Sequence, residues 1–163
     1  MGSMWSKKRI FIQTSSGRQR FNVLGAINPL NQKLMKVENE DYINAESVCE
    51  LLHKIRKAHP DHSVPVKLLM DNARYQRCKR VEAEAKTLGI EPIFLPPYSP
   101  HFNLIERLWK FVKKTCLYSR YYQDFEAYKK SIVECLKNTD KEHKEKLKKL
   151  LNPKFQSFKR MFL

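Results

Sequence analysis

The sequence predicts a mixed α/β sheet with helices on its faces, and three observations predict it. Short apolar runs fill the N-terminal part of the chain, close together and broken by turn residues. From Asn44 onward, runs at helical spacing alternate with short apolar runs, an order that layers strands with helices. Gly89 and the proline-bearing pairs Asn28-Pro29, His59-Pro60 and Pro96-Pro97 punctuate these runs, and no long linker or internal repeat interrupts them.

Met1-Gly2-Ser3-Met4 reads as a cloning scar and is set aside. Arg9-Ile10-Phe11-Ile12-Gln13 alternates polar and apolar as a short strand does, and Thr14-Ser15-Ser16-Gly17 is a turn signal. Phe21 to Ile27 reads as a second strand and Lys33 to Glu38 as a third, so the three suggest an antiparallel meander. Asn44 offers a helix cap, and Val48, Leu51, Leu52 and Ile55 recur at helical spacing up to His59-Pro60. Val66 to Met70 is short, apolar and unalternating, like a buried strand. The spacing predicts a helix from about Tyr75 to Leu88, ended by a left-handed Gly89. Ile93-Phe94-Leu95 is the next strand, followed by helices from Leu104 to about Tyr118, after Asp124, and from about Asp140 to Leu151.

With 163 residues the chain is long enough for one domain with a real core, and 42% hydrophobic content with two Trp, nine Phe and seven Tyr excludes a disordered chain. A formal net charge of +15 and a pI near 9.8 point to a polyanionic partner, nucleic acid first. The charge is uneven: Lys7, Lys8, Arg9, Arg18 and Arg20 stand without an acid near the start, the chain is Lys-rich from Lys141, and Glu38 to Glu50 is an acidic interlude. Four cysteines with no CxxC spacing exclude a zinc pattern and a dense disulfide framework, which leaves reduced thiols in a cytosolic protein as the expectation. No apolar run is long enough to cross a membrane, and no secretory signal is visible.

Two acids carry the chemistry. Asp71 ends the apolar run Val66 to Met70, the end of a strand at which catalytic groups gather in α/β sheets. Glu106 lies near the start of the Leu104 helix, with 34 residues between the two. On that helix Ile105, Leu108, Trp109, Val112 and Cys116 share a face suited to packing on the sheet. Glu106, Lys110, Lys113 and Leu117 share another, flanked by Arg107 and Lys114. Each acid also has a plainer reading: Asp71-Asn72 as an Asx turn or a cap for the next helix, and Asn103 with Glu106 as a capping box. Pro96-Pro97-Tyr98-Ser99-Pro100 would fix how Glu106 approaches the sheet. Paired carboxylates suit a hard divalent ion, with Lys110, Lys113 and Lys114 on the DNA backbone. Tyr118, Tyr121 and Tyr122 beside Arg120 either stack on bases or close a turn between helices.

Leu69-Met70-Asp71-Asn72-Ala73-Arg74-Tyr75 and the block from Phe94 through Pro96-Pro97-Tyr98-Ser99-Pro100-His101-Phe102-Asn103-Leu104-Ile105-Glu106 to Trp109 resemble the second and third catalytic blocks of DDE transposases. The branch they resemble is the mariner superfamily, in its bacterial insertion-sequence members, and the acid spacing and Asn22 to Ile27 are similar to that branch too. The resemblance covers most of residues 5 to 115. It implies a ribonuclease H-like fold and DNA cleavage and strand transfer with Mg²⁺ or Mn²⁺, Asp71 and Glu106 being metal ligands. The candidate DNA contacts are Asn72, Tyr98, His101, Asn103, Arg107, Lys110, Lys113 and Lys114.

Family members carry their first Asp on a strand upstream of the region of Trp5, and a helix-turn-helix before that. Glu38, Glu40 and Asp41, the first acids here, fall after the third predicted strand and do not replace it. The expectation is therefore a truncated catalytic core, residues 5 to 118, lacking its central strand and holding metal weakly, with a basic helical extension from 119 to 163. Two open strand edges would then invite a homodimer, with Arg9 to Gln13 as a stand-in strand. The alternatives are a non-catalytic remnant that binds DNA or pairs with a full-length transposase, and another ribonuclease H-like nuclease such as a resolvase. The resemblance implies a bacterial or archaeal cytoplasm, near the nucleoid.

Overall fold

The structure is a computed structural model that describes residues 19–97, 99 and 102–152. The predicted strand Arg9 to Gln13, together with Tyr98, His101 and the tail from Pro153, lies outside the described residues.

Strands β1 (Asn22–Ile27) and β2 (Leu34–Asn39) pair antiparallel, Asn22 opposite Asn39 and Ile27 opposite Leu34. Strands β3 (Val66–Met70) and β4 (Ile90–Phe94) pair parallel, Val66 opposite Ile90 and Met70 opposite Phe94. Among the described residues these are two two-stranded sheets, one antiparallel and one parallel. β1 and β3 line the two sides of one cleft of about 340 Å³.

Helix α1 (Ala45–Ala58) starts where its sequence says it should. The Asn44 side chain accepts from the Ser47 N–H at 3.0 Å, and the Ser47 hydroxyl accepts from the Asn44 N–H at 3.4 Å, a reciprocal cap. Val48, Leu51, Leu52 and Ile55 are all buried, as their spacing predicts. They form one core with Leu24, Ala26, Met35, Val37, Val66, Leu68, Met70, Ile90 and the α2 (Lys79–Thr87) residues Val81 and Ala85. The opposite face of β1 presents Val23 and Ile27 to a second core around Leu108, Val112, Cys116, Ile132, Cys135, Leu136, Leu147 and Leu151. These come from α3 (Leu104–Val112), its continuation Lys113–Leu117, α4 (Phe125–Lys137) and α5 (Lys144–Leu150). Helices thus cover both faces of β1 and β2, and the period-2 alternation along β1 feeds both cores.

Several helix boundaries differ from the prediction. α2 begins at Lys79, not near Tyr75, because Ala73 to Gln76 forms a turn in which the Gln76 and Arg77 N–H groups donate to the Ala73 carbonyl. The Leu104 helix widens into a π-helix at Lys113–Leu117, closed by the Tyr118 N–H donating to the Lys113 carbonyl at 2.9 Å. α5 is shorter than predicted, because Asn138 to His143 turns on its own before the helix begins. Gly89 does adopt the left-handed conformation, with φ +61°.

Arg56 is buried at the far end of α1, where its guanidinium donates to the carbonyls of His59 (2.9 Å) and Gly89 (2.8 Å). That clamp fastens α1 to the start of β4. All four cysteines are free thiols, and burial pushes the Cys135 thiol up to about 12.

Gly25 is where α3 meets β1. A Cβ there would stand 3.1 Å from both the Trp109 ring and the Leu34 side chain. Only a bare backbone lets the indole lie this close to the strand. Gly25→Ala is expected to lower unfolding free energy by about 1–3 kcal/mol through overpacking, read by urea denaturation. An unchanged midpoint would mean that the indole is not seated on β1.

Candidate active site

Asp71 follows directly after β3, and Glu106 lies in the first turn of α3. Both carboxylates line the cleft between β1 and β3. The link between them is Asn103, buried at 8% exposure. Its amide Nδ2 donates to Asp71 Oδ1 at 3.0 Å, while its Oδ1 accepts from the Ile105 N–H at 3.3 Å. One side chain therefore caps α3 and holds the carboxylate at the end of β3.

The cap readings of both acids can be compared with the bonds formed. Asp71 does not cap α2, whose N-cap is Cys78 with no side-chain bond. Asn103 caps α3, but the reciprocal half of a capping box from Glu106 is not formed. The acidic side chain near the positive end of the helix is favourably placed without that bond.

The other predicted contacts divide. Asn72 ties the ends of β3 and β4 together, its amide donating to the Leu95 carbonyl and its oxygen accepting from Arg77 at 3.4 Å. Arg107 donates to the carbonyls of Leu150 (3.1 Å) and Asn152 (2.8 Å), gripping the end of α5. Lys110, Lys113 and Lys114 are exposed along the α3 run and form no ion pair among the described residues. Tyr98 and His101 lie outside the described residues. Sequence reasoning ranked Asn103 among the DNA contacts and missed its bond to Asp71. Cap preference alone marks Asn103 as an N-cap, and nothing local reveals that its second polar atom reaches across to β3.

The donor set is two carboxylates, both hard oxygen donors. No cluster of three or more His, Cys, Asp or Glu residues suited to a metal ion occurs among the described residues. Carboxylates of this kind are the donors a divalent ion takes together with water and substrate oxygens.

Residues 5–129 match the family model described as DDE superfamily endonuclease. No curated protein matches the sequence. Among solved structures, the chain is similar to the Mos1 mariner paired end complex with Mn, at TM-score 0.64 and 16% identity over 89% of this chain and 46% of that one. It is similar to the Mos1 transposase paired-end complex with left transposon end at TM-score 0.56 and 14% identity, over 93% of this chain and 49% of that one. It also resembles a chain of the simian T-cell lymphotropic virus intasome in complex with PP2A regulatory subunit B56 gamma, at TM-score 0.50 and 17% identity, over 69% of this chain and 41% of that one. At such identities the likeness is one of fold, and the fold is ribonuclease H-like. The chain spans less than half the length of each of these chains.

Proposed function

This chain belongs to the DDE superfamily of endonucleases, and we propose from that premise that it is part of a transposase catalytic domain for metal-dependent DNA cleavage and strand transfer. The observation that carries the reading is Asp71 and Glu106 in one cleft, with Asn103 fastening the strand end to the helix start. Mg²⁺ or Mn²⁺ held by Asp71 and Glu106 would supply Lewis-acid polarisation of a scissile phosphate. The rest is done by the chain itself. Asn103 fixes the Asp71 carboxylate, and the α3 dipole favours the negative charge of Glu106. Lys110, Lys113 and Lys114 lie on the same helical run and suit a DNA backbone, where such contacts set register and not sequence preference. A net charge of +15 supports the same partner. Four free thiols fit a reducing compartment such as the cytoplasm.

Mn²⁺ titration followed by electron paramagnetic resonance tests the site. Weak binding is expected, lost in Asp71→Asn and in Glu106→Gln, and weakened by about tenfold in Asn103→Leu, which removes the carboxylate's outer partner. Unchanged affinity in both acid variants would sink the reading.

A second reading is a module that binds DNA or pairs with another copy without cutting. It is favoured by the lack of a third acid beside Asp71 and Glu106 among the described residues. Two carboxylates do not suffice for a pair of ions about 3.5–4 Å apart. Negligible Mg²⁺-dependent nicking of supercoiled DNA is therefore expected from this chain. Robust nicking abolished by Asp71→Ala would discard the second reading and make the two acids sufficient.

A further inference from the structure

Beyond the π-helical end of the α3 run, Tyr118 to Asp124 crosses to α4 without regular structure, turning through Ser119 at φ +58°. The crossing borders a hollow of about 600 Å³ between this segment and the start of α4. Its inner wall is fixed. The Tyr122 hydroxyl is bonded to the Cys116 carbonyl and lies 2.7 Å from the Ser131 hydroxyl oxygen, and the ring meets Tyr128 edge-on with centroids 5.8 Å apart. Phe125 also stacks on Tyr128, with centroids 6.1 Å apart.

The outer wall is different in kind. Tyr121 lines the hollow yet is 56% exposed, and no hydrogen bond or ring partner occupies it among the described residues. Beside it Arg120 is exposed and in no ion pair among the described residues. The acid at the hollow, Asp124, is engaged in capping α4 through the Ala127 N–H at 2.7 Å. An open ring and a cation match a ligand with a flat apolar face and a negative charge, and the Asp124 carboxylate is held at the α4 start by the Ala127 N–H. A nucleotide has both, but in a duplex its base face is covered by its neighbours. Along a single strand every unpaired base offers that face to a tyrosine.

We propose that the hollow beside Tyr121 and Arg120 takes an unpaired nucleobase of single-stranded DNA, Tyr121 stacking on the base and Arg120 meeting its phosphate. This rests on the DNA-processing reading above and deepens it by naming the form of the substrate strand. Glu106 and Leu117 lie on one helical run, roughly 16 Å apart along the axis at about 1.5 Å per residue. The hollow therefore lies within a few nucleotides of the two acids. The exposed Lys113 and Lys114 on that run suit the intervening phosphates.

The test is fluorescence anisotropy with a labelled oligothymidylate of about twelve nucleotides and with a labelled two-strand duplex in which every base is paired. Tyr121→Ala is expected to weaken oligothymidylate binding about tenfold, with duplex affinity unchanged. Tyr121→Phe keeps the ring and should bind both as the unaltered chain does. Circular dichroism melts confirm that both variants fold, as an exposed side chain predicts. No loss on the single strand, or an equal loss on both DNAs, overturns the base site and leaves the DNA reading standing. An unaltered chain that binds neither DNA overturns both.

Discussion

Leu108→Ala is expected to lower the free energy of unfolding by about 2–5 kcal/mol. Leu108 is fully buried, and so is Leu147 of α5 in the same core. Truncation to Ala removes the transfer free energy of the lost methyl groups and leaves a cavity that three helices must close by shifting. Against a typical margin of about 5–15 kcal/mol, such a loss is severe. It also reaches the site, because Leu108 lies two positions beyond Glu106 and seats the helix that carries it. Urea unfolding followed by far-ultraviolet circular dichroism should show one transition at a lower midpoint. A loss below about 1 kcal/mol, or a separate early transition for α5, would mean that α4 and α5 do not share a working core with α3.

Concentration-dependent self-association is the second large effect expected, measured by multi-angle light scattering. β1 pairs only with β2, and β3 only with β4, among the described residues. The edges of β1 and β3 that no described strand covers line the same cleft. The outer edge is protected differently: β4 carries Pro92, which cannot donate to a further strand. β1 and β3 contain no proline. An edge without such a block is a template for another chain. Leu69 of β3 and Ile93 of β4 are 50% and 36% exposed, so apolar surface accompanies the open edge. Association should bring slower amide hydrogen exchange at Val23–Ile27 and Lys67–Met70 as concentration rises. A monomeric mass at every concentration would remove this expectation.

The two expectations rest on different kinds of information, and the difference recurs through the molecule. Helical spacing and one Asn were enough for α1, because a helix buries a stripe set by its own periodicity and its first N–H groups are satisfied locally. The same holds for the ends of β3 and α3, hence for Asp71 and Glu106 as candidates, and for Gly89, whose conformation follows from a helix ending there. The charge and the two motif blocks pointed to the family on the same local terms.

Tertiary structure decided the rest. β4 begins at Ile90, earlier than the apolar run Ile93 to Leu95 suggested, because pairing with β3 in register recruits Glu91 and Pro92 at an edge. Asn72 and Arg107, equally plausible on DNA by residue type, are drawn into bonds with Leu95 and with the end of α5. Asn103 joins two elements 32 positions apart, and no local pattern encodes such a bond. A hydrogen bond between distant segments depends on which faces the cores bring together. Sequence by itself therefore determined which residues could do chemistry here, and only the packing of α3 on β1 decided which of them meet.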